Sequence, residues 1–375
     1  MEIKTLDHVD FNLTRTNNVG NFIILENSIY ILEEGKFIKK IKLFSEALVK
    51  LIDEIITNAI DAIIRNGRGN IKVNFSRDGY IEVINDGPGI QIKLDGERYT
   101  VQNCFSSQYT SSNYDDEEES ITGGINGQGA KLTNGYSKHF YVETVNGGQI
   151  YKQNFYDNMR RIEPPEIKKY TGAEYTKIRF LLNYDAACRN ERKINNDDKW
   201  FAGENIDLVD SILLRRVYEA SFYTNCFIQS SILYNGNQIY CEMEKFLSLH
   251  GEKFIHTKMI NSEAKHRFDF YVGIIFKDPI EISAKKFETM GFDFITILNG
   301  VVMTGISNYM CEILNKLENY IRFHRDIEKY AFKTFAKGKF PPKLFRKNIT
   351  LIICCQYPKK YFDFAGQVKS NANMN

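Results

Sequence analysis

The sequence has no excess of charge of either sign. Its 375 residues include 49 lysines and arginines and 47 aspartates and glutamates, so the formal net charge is only +2. A chain with balanced charge has no overall electrostatic attraction to nucleic acid. Any surface that binds nucleic acid must therefore be a local patch.

The sequence also lacks the cysteine spacing of a zinc or redox site and the apolar segments of a membrane protein. Its seven cysteines are an odd number, widely scattered, without a CxxC pair. No apolar run approaches the roughly 20 residues that span a bilayer, and the N-terminus has no basic start followed by an apolar core. We therefore expect reduced thiols, no membrane partner and an intracellular location, in the cytosol or the nucleus.

What the chain does contain is enough apolar sequence, 43% of its residues, to build a sizeable core in two domains. The repeat of apolar residues at three- and four-residue spacing predicts a helix over 44–64. Alternating apolar residues around Gly and Asn-Gly turns predict hairpins over 71–86 and 138–156. The fold class is α/β with a mixed, mostly antiparallel sheet, and we place a domain boundary at 240/241.

The first candidate for chemistry lies on the predicted helix. Glu54, Asn58 and Asp61 follow one another at i, i+4 and i+7 and share one polar stripe. A solvated helix face is the ordinary interpretation. A functional interpretation gives Glu54 the task of polarising a water and Asn58 that of an oxygen ligand for Mg²⁺.

Two glycine-containing stretches follow. NDGPGI, residues 85–90, is typical of a turn, although its glycines could also let backbone approach a flat ligand. GGINGQGAK, residues 123–131, does not have the P-loop pattern. Its glycine N–H groups, the lysine and the start of a helix favour a bound phosphate, and a flexible linker is the alternative.

The order of these motifs resembles a known family. A helix with Glu54 and Asn58, a strand ending at NDGPGI and then a glycine loop is the N, G1 and G2 box arrangement of the GHKL ATPases. TSSNYDDEEESITGGINGQGAKLTNGYS, residues 110–137, is similar to the equivalent stretch of eukaryotic-type type II DNA topoisomerases, as are VKLIDEIITNAIDA, LDHV, FITILNGVVMTG and FAGQVKSN. The resemblance covers nearly the whole chain.

The resemblance implies a fold and a function. It implies a GHKL (Bergerat) α/β sandwich over 1–240 and a smaller transducer domain, like domain 2 of ribosomal protein S5, over 241–375. ATP and Mg²⁺ would be the cofactors, and the protein would dimerise on ATP and close on double-stranded DNA of any sequence. No DNA-cleaving segment is recognised, so cleavage and religation would come from domains in cis or from a separate subunit.

The resemblance also assigns roles to single residues. Glu54 matches the general base, Asn58 the Mg²⁺ ligand and Asn85 a nucleoside contact, while Gln367 and Lys369 match a loop whose lysine reaches the γ-phosphate. The remaining nucleotide-binding positions are Ser111, Ser112, Asn113, Gly124, Ile125, Asn126, Gly127, Gln128, Gly129, Ala130 and Lys131. The basic segment 329–347 is either a solvated loop ahead of a strand or, as the resemblance implies, a loop that contacts DNA through Lys333, Lys337 and Lys339.

Two other functions stay open. Ile125 and Gln128 stand where family members usually carry an arginine and an aromatic residue, and this departure favours a nucleotide-gated dimerisation scaffold with little hydrolysis. Another GHKL class, such as a mismatch-repair ATPase, would not explain the QVK sequence at 367–369 or the SSNYDDEEES stretch at 111–120.

Overall fold

The computed structural model describes residues 19–20, 24–107, 121–124, 127–183, 204–261, 268–277, 293–323, 346–364, 369 and 372–374. Contacts divide the chain into two compact units, Met1–Glu242 and Met243–Asn375. Among the described residues, no helix is both long and apolar enough to cross a membrane.

The first unit is built on a nine-stranded sheet. Its helices are α1 Glu46–Asn66, α2 Thr100–Ser106, α3 Gly129–Gly135 and α4 Glu204–Phe227. Its strands are β1 Leu25–Glu33, β2 Lys36–Phe44, β3 Asn70–Phe75, β4 Ile81–Asp86, β5 Leu94–Asp95, β6 Arg98–Tyr99, β7 Ser137–Asn146, β8 Gln149–Tyr156, β9 Arg161–Ile162, β10 Glu166–Lys169, β11 Tyr175–Leu182, β12 Ser231–Tyr234 and β13 Asn237–Ile239.

The strand order of this sheet is β10-β8-β7-β11-β4-β3-β12-β13, with β9 paired to β8. Every pairing is antiparallel except that of β12 with β3. The predicted mixed, mostly antiparallel sheet is therefore confirmed. Strands β1 and β2 form a separate hairpin, as do β5 and β6.

The sequence determines where helix α1 begins and ends. It begins two residues later than the apolar spacing predicts, because the Ser45 side chain accepts a hydrogen bond from the Leu48 N–H and caps the first turn. It ends at Gly67, which adopts the left-handed conformation with φ 70°. Between these caps, α1 packs against β4 and α4 and buries its apolar face in the core.

The second unit has a five-stranded sheet in the order β14-β15-β18-β16-β17, in which β16 and β18 are parallel. Its elements are α5 Met243–His250, β14 Phe254–Asn261, β15 Phe268–Phe276, β16 Asp293–Leu298, β17 Val301–Met303, α6 Asn308–Phe323, β18 Ile349–Gln356, a 3₁₀ turn Lys359–Tyr361, β19 Phe362–Phe364 and β20 Ala372–Met374. Side chains of α6 and of the sheet form its core, with Met310, Leu314 and Leu351 fully buried.

Candidate active site

Glu54 is a buried carboxylate at the centre of α1, with only 5% of the residue exposed. One oxygen, Oε1, lies 2.8 Å from the Nζ of Lys50, one turn earlier on the same helix. The other, Oε2, faces Gly129 at the start of α3, where a Cβ atom would lie only 1.9 Å away. The missing side chain of Gly129 therefore makes room for the carboxylate and brings the glycine loop beside it.

Asp61, two turns further along α1, holds the beginning of this loop. Its two carboxylate oxygens accept hydrogen bonds from the backbone N–H groups of Gly123 and Gly124, each at 2.8 Å. The residue is only 2% exposed. Sequence reasoning put Asp61 on the polar stripe but gave it no role, and the structure assigns it that of a loop anchor.

Lys131 lies in the first turn of α3 and is buried. Its Nζ donates a hydrogen bond to the carbonyl oxygen of Gly127. Burial lowers the pKa of Lys131 to about 8, and this effect is larger than the opposing influence of the nearby Cys104. A bound anion would favour the protonated, positively charged form of this poorly solvated amine.

Asn58 and Asn85 occupy different environments. Asn58 lies one turn from Glu54 and is exposed, so its amide oxygen is available to a ligand in solution. Asn85 is buried near the end of β4 and donates a hydrogen bond of 3.1 Å to the carbonyl oxygen of Asp86.

The turn after Asn85 needs its glycines for its own conformation. Gly87 has φ 104°, and a Cβ on Gly89 would lie 2.0 Å from the carbonyl oxygen of Val145. The Ile90 N–H also donates to the Thr144 hydroxyl at 2.9 Å. These contacts tie the NDGPGI turn to β7 and account for its two glycines without a ligand.

A second ion pair, between Arg216 and Asp53, lies next to Glu54 along α1, and the sequence analysis did not predict it. Arg216 of α4 donates a hydrogen bond from Nε to Asp53 and another of 3.4 Å to the Thr57 hydroxyl. Lys50 lies 3.9 Å from Asp53. Burial opposes the charge on Lys50, but Glu54 and Asp53 outweigh it and raise the pKa of Lys50. Only the i, i+3 and i, i+4 charge pairs within α1 signalled this cluster in the sequence.

The structure thus brings Glu54, Gly124, Gly127, Gln128, Gly129, Ala130 and Lys131 to one region of the first unit. Nine predicted site residues lie outside the described residues: Ser111, Ser112, Asn113, Ile125, Asn126, Lys333, Lys337, Lys339 and Gln367. In the second unit, Lys369 is buried with φ 53°, and its Nζ lies 6.0 Å from the centre of the Phe364 ring.

Within the part of the chain that the structure describes, no group of three or more His, Cys, Asp or Glu residues could hold a metal ion.

Comparison with known proteins identifies the relatives of the chain. No protein-family model matches it. It is 30% identical over 332 residues to DNA topoisomerase 2 of Candida albicans, covering 82% of this chain and 21% of the relative. It is 28% identical over 352 residues to the probable DNA topoisomerase 2 of Dictyostelium discoideum, covering 92% of this chain and 21% of the relative. DNA topoisomerase 2 of Acanthamoeba polyphaga mimivirus is 30% identical over 258 residues, 67% of this chain and 19% of the relative. The chain therefore spans about a fifth of the length of the relatives it matches.

Solved structures show which region of these relatives the chain resembles in fold. The ATPase region of Saccharomyces cerevisiae topoisomerase II bound to dexrazoxane superimposes with a TM-score of 0.79 at 24% identity, covering 100% of this chain and 90% of that one. The same region determined separately gives a TM-score of 0.77 at 25% identity, with the same coverage. The predicted α/β fold is confirmed. The chain belongs to the type II DNA topoisomerases, and it has the fold of their ATPase region.

Proposed function

We propose that this chain is the ATP-hydrolysing gate of a type II DNA topoisomerase. The observation that carries the proposal is the position of Glu54, a buried carboxylate paired with Lys50 and lying against Gly129 at the end of the glycine loop. A carboxylate there can take a proton from a water that attacks the terminal phosphate of a nucleotide held by the loop. The products are ADP and inorganic phosphate.

The loop supplies the phosphate-binding groups in this proposal. Backbone N–H groups within 124–131 bind the phosphates, and Lys131 contributes a positive charge that burial has left poorly solvated. Asp61 keeps the loop against α1 by its bonds to Gly123 and Gly124. Asn85, together with Ser111, Ser112 and Asn113, binds the nucleoside.

Asn58 would hold Mg²⁺ through its amide oxygen, and the metal would supply charge neutralisation at the phosphates. The exposure of Asn58 one turn from the buried Glu54 supports this assignment, because a hard cation that keeps part of its water shell needs a solvated ligand. The base and the metal ligand would then lie side by side on one helix.

The rest of the chain has proposed tasks in the same cycle. Residues 1–240 bind ATP, and residues 241–375 act as a transducer in which Lys369 and Gln367 sense the γ-phosphate. Two copies dimerise on ATP and close over a DNA duplex inside the cell, with Lys333, Lys337 and Lys339 contacting phosphates independently of base sequence. Cleavage and religation of DNA belong to other domains or to a separate subunit.

Steady-state release of phosphate tests the proposal against the scaffold alternative. We expect the purified chain to release phosphate from ATP in the presence of Mg²⁺ and to stop when Mg²⁺ is chelated. ATP binding with no release above a protein-free control would contradict the enzyme and would favour a nucleotide-gated scaffold.

A further inference from the structure

The ion pair between Lys50 and Glu54 is shielded from solvent on both sides. The side chain of Lys50 is 12% exposed and that of Glu54 is 6% exposed, and 2.8 Å separates Nζ from Oε1. In such an environment an ion pair is screened far less by water and salt than a surface pair. Lys50 can therefore fix both the charge and the orientation of the carboxylate.

Lys50 has a second possible partner. Asp53 lies 3.9 Å from its Nζ, which is further than Glu54. Arg216 of α4 holds Asp53 by a hydrogen bond from Nε, and both side chains are nearly buried. Because Arg216 already neutralises Asp53, Lys50 stays with Glu54.

Other charged groups near Glu54 do not take the place of Lys50. On the helices packed against α1 these are Lys131 of α3, whose Nζ bonds to the Gly127 carbonyl, and Arg216 and Glu219 of α4. The charged side chains of the nearby strands, Lys72, Glu82 and Asp86, alternate with the buried residues and so lie on the opposite face of the sheet.

We propose that Lys50 is the positioning residue of the Glu54 carboxylate and that Arg216 maintains this arrangement from α4 by holding Asp53. The inference rests on the proposed function and deepens it. With Oε1 engaged by Lys50, Oε2 is the oxygen directed at Gly129 and the glycine loop.

This arrangement predicts how hydrolysis responds to pH. A buried carboxylate favours its protonated form, and a neighbouring cation favours its ionised form. Without Lys50, Glu54 would take up a proton at a higher pH and would no longer be held in one orientation. Hydrolysis would then be slower at neutral pH and would recover in part as the pH rises.

The test measures kcat for ATP hydrolysis against pH in the parent and in Lys50→Met, Lys50→Arg and Arg216→Gln. At pH 7 we expect Lys50→Met to lower kcat by about tenfold or more, less than the roughly 10²-fold or larger loss for removing the base itself. The acidic limb of its profile should move up by about one pH unit or more. Lys50→Arg should restore most of the rate, and Arg216→Gln should shift the limb in the same direction by less.

Binding of a non-hydrolysable ATP analogue shows that each variant is folded, and it should stay close to the parent value. Lys72→Met, which removes an exposed lysine from the far face of the sheet, is the matched control and should have the parent profile. A Lys50→Met enzyme with the parent acidic limb would overturn the inference while leaving the ATPase intact. If the parent itself released no phosphate, the proposed function would fail, and the positioning role would fail with it. If Lys50→Met did not fold, an unshifted profile in Arg216→Gln would overturn the inference.

Discussion

At the scale of single residues, Asp61 anchors the start of the glycine loop. Asp61 accepts two backbone hydrogen bonds at 2.8 Å, and bonds to a charged group contribute about 1.5–3 kcal/mol each. Asp61→Asn removes the charge and leaves one of the two N–H groups without an acceptor. Without these bonds the loop is ordered only when ATP binds, and part of the binding free energy is then used to order it. We therefore expect the KM for ATP to rise by about tenfold or more.

The matched control for Asp61→Asn is Asp207→Asn, which removes an exposed partner of Arg77. A surface ion pair contributes roughly 0–1 kcal/mol, so the KM should not change. An unchanged KM in Asp61→Asn would mean that the loop holds its shape without the anchor.

Lys131 gives nucleotide binding a pH dependence of its own. Burial lowers its pKa to about 8, below the value of 10.5 for a solvated lysine, so the free protein loses this charge as the pH rises above 8. A bound phosphate favours the charged form. Affinity for ATP should therefore decline by about tenfold between pH 7 and pH 9, with uptake of a proton on binding near pH 9.

Calorimetry in buffers of different ionisation enthalpy measures this proton uptake. The Lys131→Met protein has no such group and should bind ATP more weakly at pH 7, with the steep decline above pH 8 removed. The same affinity and the same lack of proton uptake at pH 7 and pH 9 in the parent would contradict the role of Lys131.

The sequence located the candidate residues better than it located their surroundings. The spacing of Glu54 and Asn58 indicated one polar face, but it could not indicate that Glu54 is buried and Asn58 exposed. Glu54 lies against Gly129 of α3, which comes more than 60 residues later in the chain, so local spacing could not predict its burial. Long-range packing of this kind also brings Arg216 to Asp53.

At the scale of elements, prediction succeeded where the apolar period is long. Helix α1 and the hairpin of β7 and β8 have enough turns or residue pairs to define a period. Strands β5, β6 and β9, with two residues each, have no period to detect. The parallel pairing of β12 with β3 joins segments about 160 residues apart, and no local pattern specifies it.

The start of α3 supplies a test of the contact between two elements. A Cβ on residue 129 would lie 1.9 Å from Glu54 Oε2, whereas one on residue 135, at the other end of the same helix, would meet only Met159 at 3.5 Å. Gly129→Ala must therefore displace the carboxylate. We expect it to lower kcat by about tenfold or more, because the base loses its position.

Gly135→Ala is the control for that change and should keep the parent kcat, since 3.5 Å is an ordinary contact. Thermal unfolding of both variants separates a local displacement from loss of the fold. If Gly129→Ala hydrolysed ATP at the parent rate, Glu54 would not need its place beside the loop.

At the scale of the whole molecule, the fold is established and the reaction is proposed. The chain has the fold of the topoisomerase II ATPase region. In its first unit, a helix that carries a buried carboxylate packs against a glycine loop fixed by Asp61. In the proposed function, hydrolysis by Glu54 is the step on which the gate, the clamp and the transducer all depend.

The most direct measurement compares phosphate release and nucleotide binding in the parent and in Glu54→Gln. The amide keeps the size of the side chain but cannot accept the proton. We expect phosphate release by the parent in Mg·ATP, a decrease of about 10²-fold or more in the variant, and nearly unchanged binding of ATP. Near-parent turnover in Glu54→Gln, or no turnover in the parent, would contradict the proposed function.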